Sequence, residues 1–320
     1  MRRIGVLTSG GDSPGMNAAI RSVVRTGIYY GMEVFGVQRG FEGLIQDDLV
    51  PMELCSVGDI LHRGGTILKT ARSEAFMTEA GMEKACETLR RLEITDLVVI
   101  GGDGSMRGSI ELSKRGFSVM LIPGTIDNDM GYTDYTIGFD TAVNTVLCAI
   151  SNIRDTASAH ERTTIIEVMG RTCGDIALYS GVTGGAEYIL IPELEVNMGK
   201  LCDKIVEGIE RKKSHNIIIK AEGVAIPSEE IANIIKEKTG QEARIVVLAY
   251  LQRGGSPSGR DRMLASLMGN RAVELIYNDS GSRAIGITGN EITDSDMEIA
   301  VEMKKEAALD LLGIIDILSK

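Results

Sequence analysis

The chain has no surplus of basic charge: 34 lysines and arginines stand against 45 acids, a net charge of −11. A whole-surface footprint for nucleic acid or an anionic membrane is therefore not expected, and any phosphate ligand must be held by local arginines. No apolar run approaches membrane-spanning length. Arg2-Arg3 carry the charge of a secretory leader, but Ile4-Gly5-Val6-Leu7 is too short to be its apolar core. Cys55, Cys86, Cys148, Cys173 and Cys202 show no CxxC spacing, which argues against a disulfide framework and for the reducing cytoplasm. His62, His160 and His215 lack metal-ligand spacing. Neither GxGxxG nor GxxxxGK[ST] occurs, so nicotinamide-binding and Walker-type readings lose support. Low-complexity linkers, fixed-period repeats and tryptophan are also missing, the last removing an intrinsic fluorescence probe.

What remains is an ordinary globular composition, 43% hydrophobic over 320 residues, enough for about two domains. Short β-branched runs alternate with longer helical patterns, the signature of βα units around mainly parallel sheets. The expected strands are Ile4-Leu7, Val34-Val37, Leu97-Ile100, Val119-Ile122, Thr164-Met169, Tyr188-Ile191, Ile217-Ala221, Ile245-Tyr250 and Ala284-Thr288. The clearest helical patterns run from Asn17 to Tyr30, Asp140 to Ala157, Lys200 to Lys213, Ser228 to Lys238, Arg260 to Tyr277 and Asp294 to Asp310.

Chemistry concentrates at the ends of these strands, where an open α/β sheet binds its ligands. Val119-Met120-Leu121-Ile122 is followed by Pro123-Gly124-Thr125-Ile126-Asp127-Asn128-Asp129, two carboxylates two residues apart, and an acid there can take a proton from a hydroxyl. Leu97-Val98-Val99-Ile100 leads into Gly101-Gly102-Asp103-Gly104-Ser105, where glycines let the backbone approach phosphates and a carboxylate can hold a hard cation. Similar runs occur in NAD and lipid kinases, and Asp103 as a plain helix cap is the bland alternative. Thr8-Ser9-Gly10-Gly11-Asp12-Ser13-Pro14-Gly15 precedes a helix whose free amides and dipole can hold an anion. Met169-Gly170-Arg171, Glu222-Gly223 and Gln252-Arg253-Gly254-Gly255 put further charges at strand mouths, arginine supplying bidentate charge for phosphate. Arg21 and Arg25, at i and i+4, make a small cationic patch. Together these features read as phosphoryl transfer to an alcohol.

Assembled in order with His62-Arg63-Gly64-Gly65-Thr66 and Gln252-Arg253-Gly254-Gly255-Ser256-Pro257, these segments make nearly the whole chain resemble the bacterial ATP-dependent 6-phosphofructokinases, with PGTIDND the most specific match. The resemblance implies two α/β domains, residues 1–138 plus about 257–304 binding ATP and about 139–256 plus 305–320 binding fructose 6-phosphate, with the active site in the cleft between them. It implies a glycolytic kinase that moves the γ-phosphoryl of MgATP to the 1-hydroxyl of fructose 6-phosphate. Asp127 would be the general base, a role typically worth about 10²–10⁴-fold in rate. Asp103 would organise Mg²⁺. Gly11, Arg72, Ser73 and the loop Gly102, Asp103, Gly104, Ser105 would cradle ATP. Arg171, helped by Arg72, would neutralise the moving phosphoryl. Thr125, Ile126, Met169, Gly170 and Glu222 would orient the sugar, with Tyr250, Leu251, Gln252 and Arg253 near its phosphate and Arg162 and Arg244 lent by a neighbouring subunit of a homotetramer.

By the same resemblance, Arg21, Arg25, Arg154, Gly185, Glu187, Arg211, Lys213 and His215 match an effector site for ADP and phosphoenolpyruvate. Leu54 replaces an arginine common in well-regulated relatives, which predicts weakened control. Tyr250 stands where histidine is frequent, and a phenol can donate a hydrogen bond but cannot become a cation. Relatives using pyrophosphate typically carry Asp and Lys at the positions of Gly104 and Gly124; two glycines leave donor space open and favour ATP. The alternatives are a pyrophosphate-dependent phosphofructokinase and a non-catalytic regulatory paralogue, the latter disfavoured by intact Asp103, Asp127 and Arg171.

Overall fold

The computed structural model describes residues 1–160 and 162–319; Lys320, the last residue of the expected second domain, lies outside them. In chain order the elements are β1 (Arg3–Thr8), α1 (Met16–Tyr29), β2 (Glu33–Val37), α2 (Phe41–Ile45), β3 (Leu49–Met52), α3 (Glu79–Arg91), β4 (Ile94–Gly101), α4 (Asp103–Lys114), β5 (Ser118–Thr125), β6 (Ile137–Gly138) and α5 (Phe139–Ala159). There follow β7 (Thr163–Val168), α6 (Asp175–Thr183), β8 (Tyr188–Leu190), α7 (Met198–Glu210), β9 (Asn216–Ala221), α8 (Ser228–Thr239), β10 (Ala243–Val247), α9 (Gly259–Tyr277), β11 (Arg283–Thr288), β12 (Glu291–Asp296), α10 (Met297–Glu302) and α11 (Asp310–Leu318).

The chain divides into two compact units. The first comprises Met1–Ile126, Met130–Thr141 and Arg253–Lys305; the second comprises Asp127–Asp129, Ala142–Gln252 and Glu306–Lys320.

The first unit is built on a sheet of order β12-β11-β5-β4-β1-β2-β3, with β6 pairing off β5. Its central pairs are parallel, and only β2–β3 and β11–β12 run antiparallel. The uninterrupted apolar runs of β4 and β5 are explained by cover on both faces. Val98, Ile100, Met120 and Ile122 pack in one apolar cluster with residues of α1 and α9, while Leu97, Val99, Val119 and Leu121 pack in another with α3 and α4. Burying each such side chain contributes about 1.5–3 kcal/mol. The second unit holds the parallel sheet β10-β7-β9-β8. Among the described residues no helix is long and apolar enough to cross a membrane.

The α/β class and mainly parallel sheets match the sequence expectation, but two expected elements differ. The helix expected from Asp294 to Asp310 is absent. That stretch holds the end of β12, the short α10, an irregular segment and the start of α11. The cause is a hairpin: Gly289, at φ +63°, and Asn290 join β11 to β12 in a two-residue turn. Asp294 then faces Arg271 at 2.7 Å and Arg283 at 2.8 Å across the hairpin and α9. The strand expected to reach Tyr250 also stops earlier, at Val247, before a 3₁₀ turn in which Ala249 has φ +42°.

Candidate active site

In the first unit two glycine-rich loops meet. The loop after β1 is anchored by Ser9 N–H to the Ile100 carbonyl (3.0 Å) and by Thr70 Oγ1 to the Gly10 carbonyl (2.7 Å). Ser105, buried in the first turn of α4, fills the space beneath Gly10 and Gly101. A Cβ at Gly101 would lie 2.6 Å from the Ser9 carbonyl oxygen, so only glycine lets these backbones approach. Gly102 is the N-cap of α4 without a side-chain cap bond, which places Asp103 in the first turn rather than as the cap. Its carboxylate meets Arg107 Nε at 3.1 Å, on a half-exposed surface. Gly102 adjoins Thr125, whose carbonyl accepts the Thr136 hydroxyl at 2.6 Å.

Arg253 lies over Gly11, with a guanidinium nitrogen 2.9 Å from where a Cβ would be. Arg72 is exposed, whereas the Ser73 hydroxyl is committed to Glu42 at 2.5 Å, a bond that holds the Glu42 carboxyl below its ordinary value. The two donor-space glycines differ. A Cβ at Gly104 would meet nothing within 4 Å; one at Gly124 would press on Ile100 (2.9 Å) and Met16 (3.3 Å). Gly104 therefore has open space beside it, whereas the core beside Gly124 is full.

In the second unit the ends of β7 and β9 lie side by side, Val168 opposite Ala221. Just beyond them Arg171 N–H donates to Glu222 at 3.0 Å, and Met169 N–H donates to the fully buried Gln252 at 3.2 Å. Gly170, at φ +135°, and Arg171, at φ +53°, turn the chain so that Arg171 Nε comes 3.4 Å from Asp127 Oδ2. Asp127 is buried; Arg171 is half exposed. The structure thus brings Asp127, Met169, Gly170, Arg171, Glu222 and Gln252 together. Tyr250 and Leu251 are exposed, at 76% and 63%.

Arg162 and Arg244 are not in this group. They lie at the opposite, N-terminal edge of the sheet, where Arg244 pairs in register with Thr164. Seven residues of extended chain separate Arg162 from Met169, about 23 Å.

Of the residues matched to effector binding, Arg154 hydrogen bonds to the Gly184 and Gly185 carbonyls (2.6 and 3.0 Å) and approaches His215 Nε2 at 3.2 Å. Lys213 Nζ meets Glu187 at 3.3 Å and the Ser319 carbonyl at 2.9 Å. Burial, reinforced by Arg154 and Lys213, pushes His215 below its ordinary value. Arg211 pairs with Glu207 one turn back on α7. Arg21 and Arg25 lie on α1 of the first unit, and Leu54 is half exposed.

Among the described residues no three His, Cys, Asp or Glu side chains cluster as a metal cage. Asp103, half exposed at a helix start and paired with Arg107, is a carboxylate of the kind that suits magnesium brought by a nucleotide.

Sequence reasoning missed Asn128 and Asp175. Asn128 Nδ2 donates to Asp175 Oδ2 at 2.8 Å, both residues being buried. Cys173 sits against the Asn128 carbonyl, its thiol pushed up to about 12 by burial and by Asp175. The signal was Asn128 itself, an amide between two acids, but its partner lies 47 residues away.

The sequence model of the family described as "Phosphofructokinase" matches residues 3–276. The chain is 55% identical over 319 residues to the ATP-dependent 6-phosphofructokinase of Alkaliphilus metalliredigens and 55% over 320 residues to that of Clostridium botulinum, covering all of each chain. Among solved structures it is similar to phosphofructokinase from Saccharomyces cerevisiae, at 34% identity and TM-score 0.92 over 98% of this chain and 50% of that one. A pyrophosphate-dependent phosphofructokinase from Marinobacter aquaeolei, at 22% identity and TM-score 0.84 over 97% of this chain and 86% of that one, shares the fold.

Proposed function

Because the chain belongs to the phosphofructokinase family, we infer that it transfers the γ-phosphoryl group of ATP to the 1-hydroxyl of fructose 6-phosphate, giving fructose 1,6-bisphosphate and ADP. The observation that carries the chemistry is the buried Asp127 carboxylate beside the Arg171 guanidinium at the strand ends of the second unit. Full-length identity to ATP-dependent enzymes supports the choice of donor and acceptor.

The sugar 1-hydroxyl gives its proton to Asp127 as its oxygen bonds to the γ-phosphorus. The bond from that phosphorus to the β–γ bridging oxygen breaks, and the electron pair leaves on ADP. Without a donor, Arg171 spends its charge on Asp127. A phosphoryl group offers it a more negative partner, so the guanidinium exchanges carboxylate for phosphate and leaves Asp127 free to accept the proton. Burial keeps that carboxylate from bulk water, where a base of its kind is weak. Glu222, which holds the Arg171 backbone, Met169 and Gly170 orient the sugar; Gly11, Arg72, Ser73 and Gly102–Ser105 take the nucleotide. Magnesium, held in part by Asp103, supplies charge neutralisation on the donor phosphates.

The edge position of Arg162 and Arg244 supports their serving a neighbouring copy, since about 23 Å separates that edge from Met169. By family resemblance we assign a homotetramer with shared sites, and specific activity should fall on dilution through measured dissociation. Activity unchanged in isolated protomers would remove this part of the reading. ADP and phosphoenolpyruvate are the effectors we assign to the Arg154–Glu187–Lys213–His215 cluster, with control weakened by Leu54. The cytoplasm, whose reducing conditions suit five free cysteines, is the compartment we assign.

The deciding experiment measures fructose 1,6-bisphosphate formed from fructose 6-phosphate with magnesium, comparing ATP with pyrophosphate and using Asp127→Ser as control. ATP-dependent product that is lost in the variant supports the donor and the base together. Product with pyrophosphate alone overturns the donor, and none with either favours a regulatory paralogue.

A further inference from the structure

The residue that follows the base has its own task. Asn128 adopts φ +55°, a left-handed conformation that costs an L-residue energy unless its surroundings hold it there. The residue is 1% exposed, and its side-chain amide donates to Asp175 Oδ2 at 2.8 Å. Asp175, 2% exposed, is the first residue of α6, where the positive end of the helix steadies a buried carboxylate. Asp175 also closes the loop that begins at Met169 and carries Arg171. That loop is fixed at three further points: Met169 N–H to Gln252, Arg171 N–H to Glu222 at 3.0 Å, and Gly174 N–H to Glu193 at 2.7 Å.

The Asn128–Asp175 bond is therefore a buried tie between the short segment bearing Asp127 and the loop bearing Arg171, alongside the Cys173 thiol against the Asn128 carbonyl. Asp127 and Arg171 face each other across the gap that this tie spans, at 3.4 Å. We propose that Asn128 and Asp175 are a positioning pair for the phosphoryl-transfer step: the amide–carboxylate bond holds residue 128 in its left-handed turn and so fixes the Asp127 carboxylate relative to the Arg171 guanidinium. The inference rests on the reading of Asp127 as the base. It assigns the pair no contact with substrate.

The chemistry of the bond supplies a reciprocal test. In Asn128→Asp two carboxylates face each other and the donor is lost, while aspartate tolerates the left-handed turn nearly as well as asparagine. Asp175→Asn keeps an acceptor for the Asn128 amide. The double variant N128D/D175N restores one donor and one acceptor with the direction reversed. Displacing a catalytic group by about 1 Å costs on the order of 10²-fold in rate. N128D should lose about that much in kcat, with little change in the Michaelis constant for fructose 6-phosphate, because no sugar contact is removed. D175N should lose far less, and the double variant should recover most of the turnover lost by N128D.

A merely structural role would lower apparent kcat only in step with the folded fraction, read in parallel by circular dichroism, whereas a positioning role lowers turnover per folded molecule. If N128D does not fold, a folded and active double variant supports the pair through its rescue; a double variant that stays unfolded overturns it. Unchanged kcat in N128D, or a double variant no better than N128D, likewise overturns the proposal. Asp127→Asn in the same assay separates the two readings. Wild-type turnover in D127N removes the base assignment, whereas an inactive D127N alongside an unaffected N128D removes only the positioning pair.

Discussion

Two glycines that look alike in the sequence should respond in opposite ways to one added methyl. At Gly124, fully enclosed in β5, a Cβ would lie 2.9 Å from Ile100 Cγ2, 3.3 Å from Met16 Cε and 3.4 Å from the Gly101 nitrogen. Ordinary contact begins near 3.4 Å, so the neighbours must yield by several tenths of an ångström in a core where Ile100 and Met16 are both buried. Overpacking of this kind costs about 1–3 kcal/mol, offset by about 0.5–1 kcal/mol from the smaller unfolded-state entropy of alanine. The net expectation for Gly124→Ala is a loss of about 1–2 kcal/mol. At Gly104 a Cβ meets nothing, and the residue lies in the first turn of α4, where alanine is the better helix former. Gly104→Ala should therefore be neutral or gain about 0.5 kcal/mol, while the methyl occupies donor space and raises the Michaelis constant for ATP severalfold. Urea denaturation followed by circular dichroism measures the first effect, since the chain offers no tryptophan, and initial rates measure the second. A G124A variant as stable as wild type, or a G104A variant that loses as much as G124A, would refute the packing argument.

Asp261, fully buried in α9, accepts Gly138 N–H (2.9 Å), Thr141 N–H (2.8 Å) and the Thr141 hydroxyl (2.5 Å), capping α5 from outside. Asp261→Ala strands those donors and should cost about 3 kcal/mol, seen as a lower urea midpoint; a midpoint within error of wild type counts against the cap. His215 should titrate below 6.5 by NMR, because burial and the nearby Arg154 and Lys213 disfavour its cation. The stability contributed by its neutral ring is present above 6.5 and is lost as pH falls through the depressed value; a titration at or above 6.5 contradicts this environment. Tyr250→Phe removes a hydroxyl from the position assigned to the sugar 6-phosphate, so the Michaelis constant for fructose 6-phosphate should rise severalfold. An unchanged constant ends that role.

The elements legible in the sequence were those whose signal is local. The runs Leu97-Ile100 and Val119-Ile122 could be read as buried strands because apolar cover on both faces leaves no polar alternation to misread. The glycine run after β4 marks a close backbone approach, since no other residue fits at Gly101 under the Ser9 carbonyl. What failed was decided at a distance. The stretch from Asp294 has helical composition, yet the Gly289-Asn290 turn pairs it with β11, and Arg271 and Arg283 hold Asp294 in place. Asn128 was visible, but its meaning depends on Asp175, which no spacing rule connects to it.

Two of the chain's left-handed residues lie beside Asp127. Asn128 and Arg171 both adopt positive φ without being glycine, at +55° and +53°, and they flank the 3.4 Å approach of Asp127 to Arg171. Turning both backbones into the left-handed region aims the two charges at one point, at a cost of about 1–3 kcal/mol for each residue. The surroundings that sustain the strain are polar and individually replaceable: Glu222 on the Arg171 amide and Asp175 on the Asn128 side chain. Their partners belong to β9's end and α6's start, elements that fold for reasons of burial unrelated to the reaction. Rigid apolar elements thus fix where the polar ties begin, and the ties fix where the Asp127 and Arg171 charges end. Removing a tie should therefore relax the turn and move the charge before it unfolds the unit.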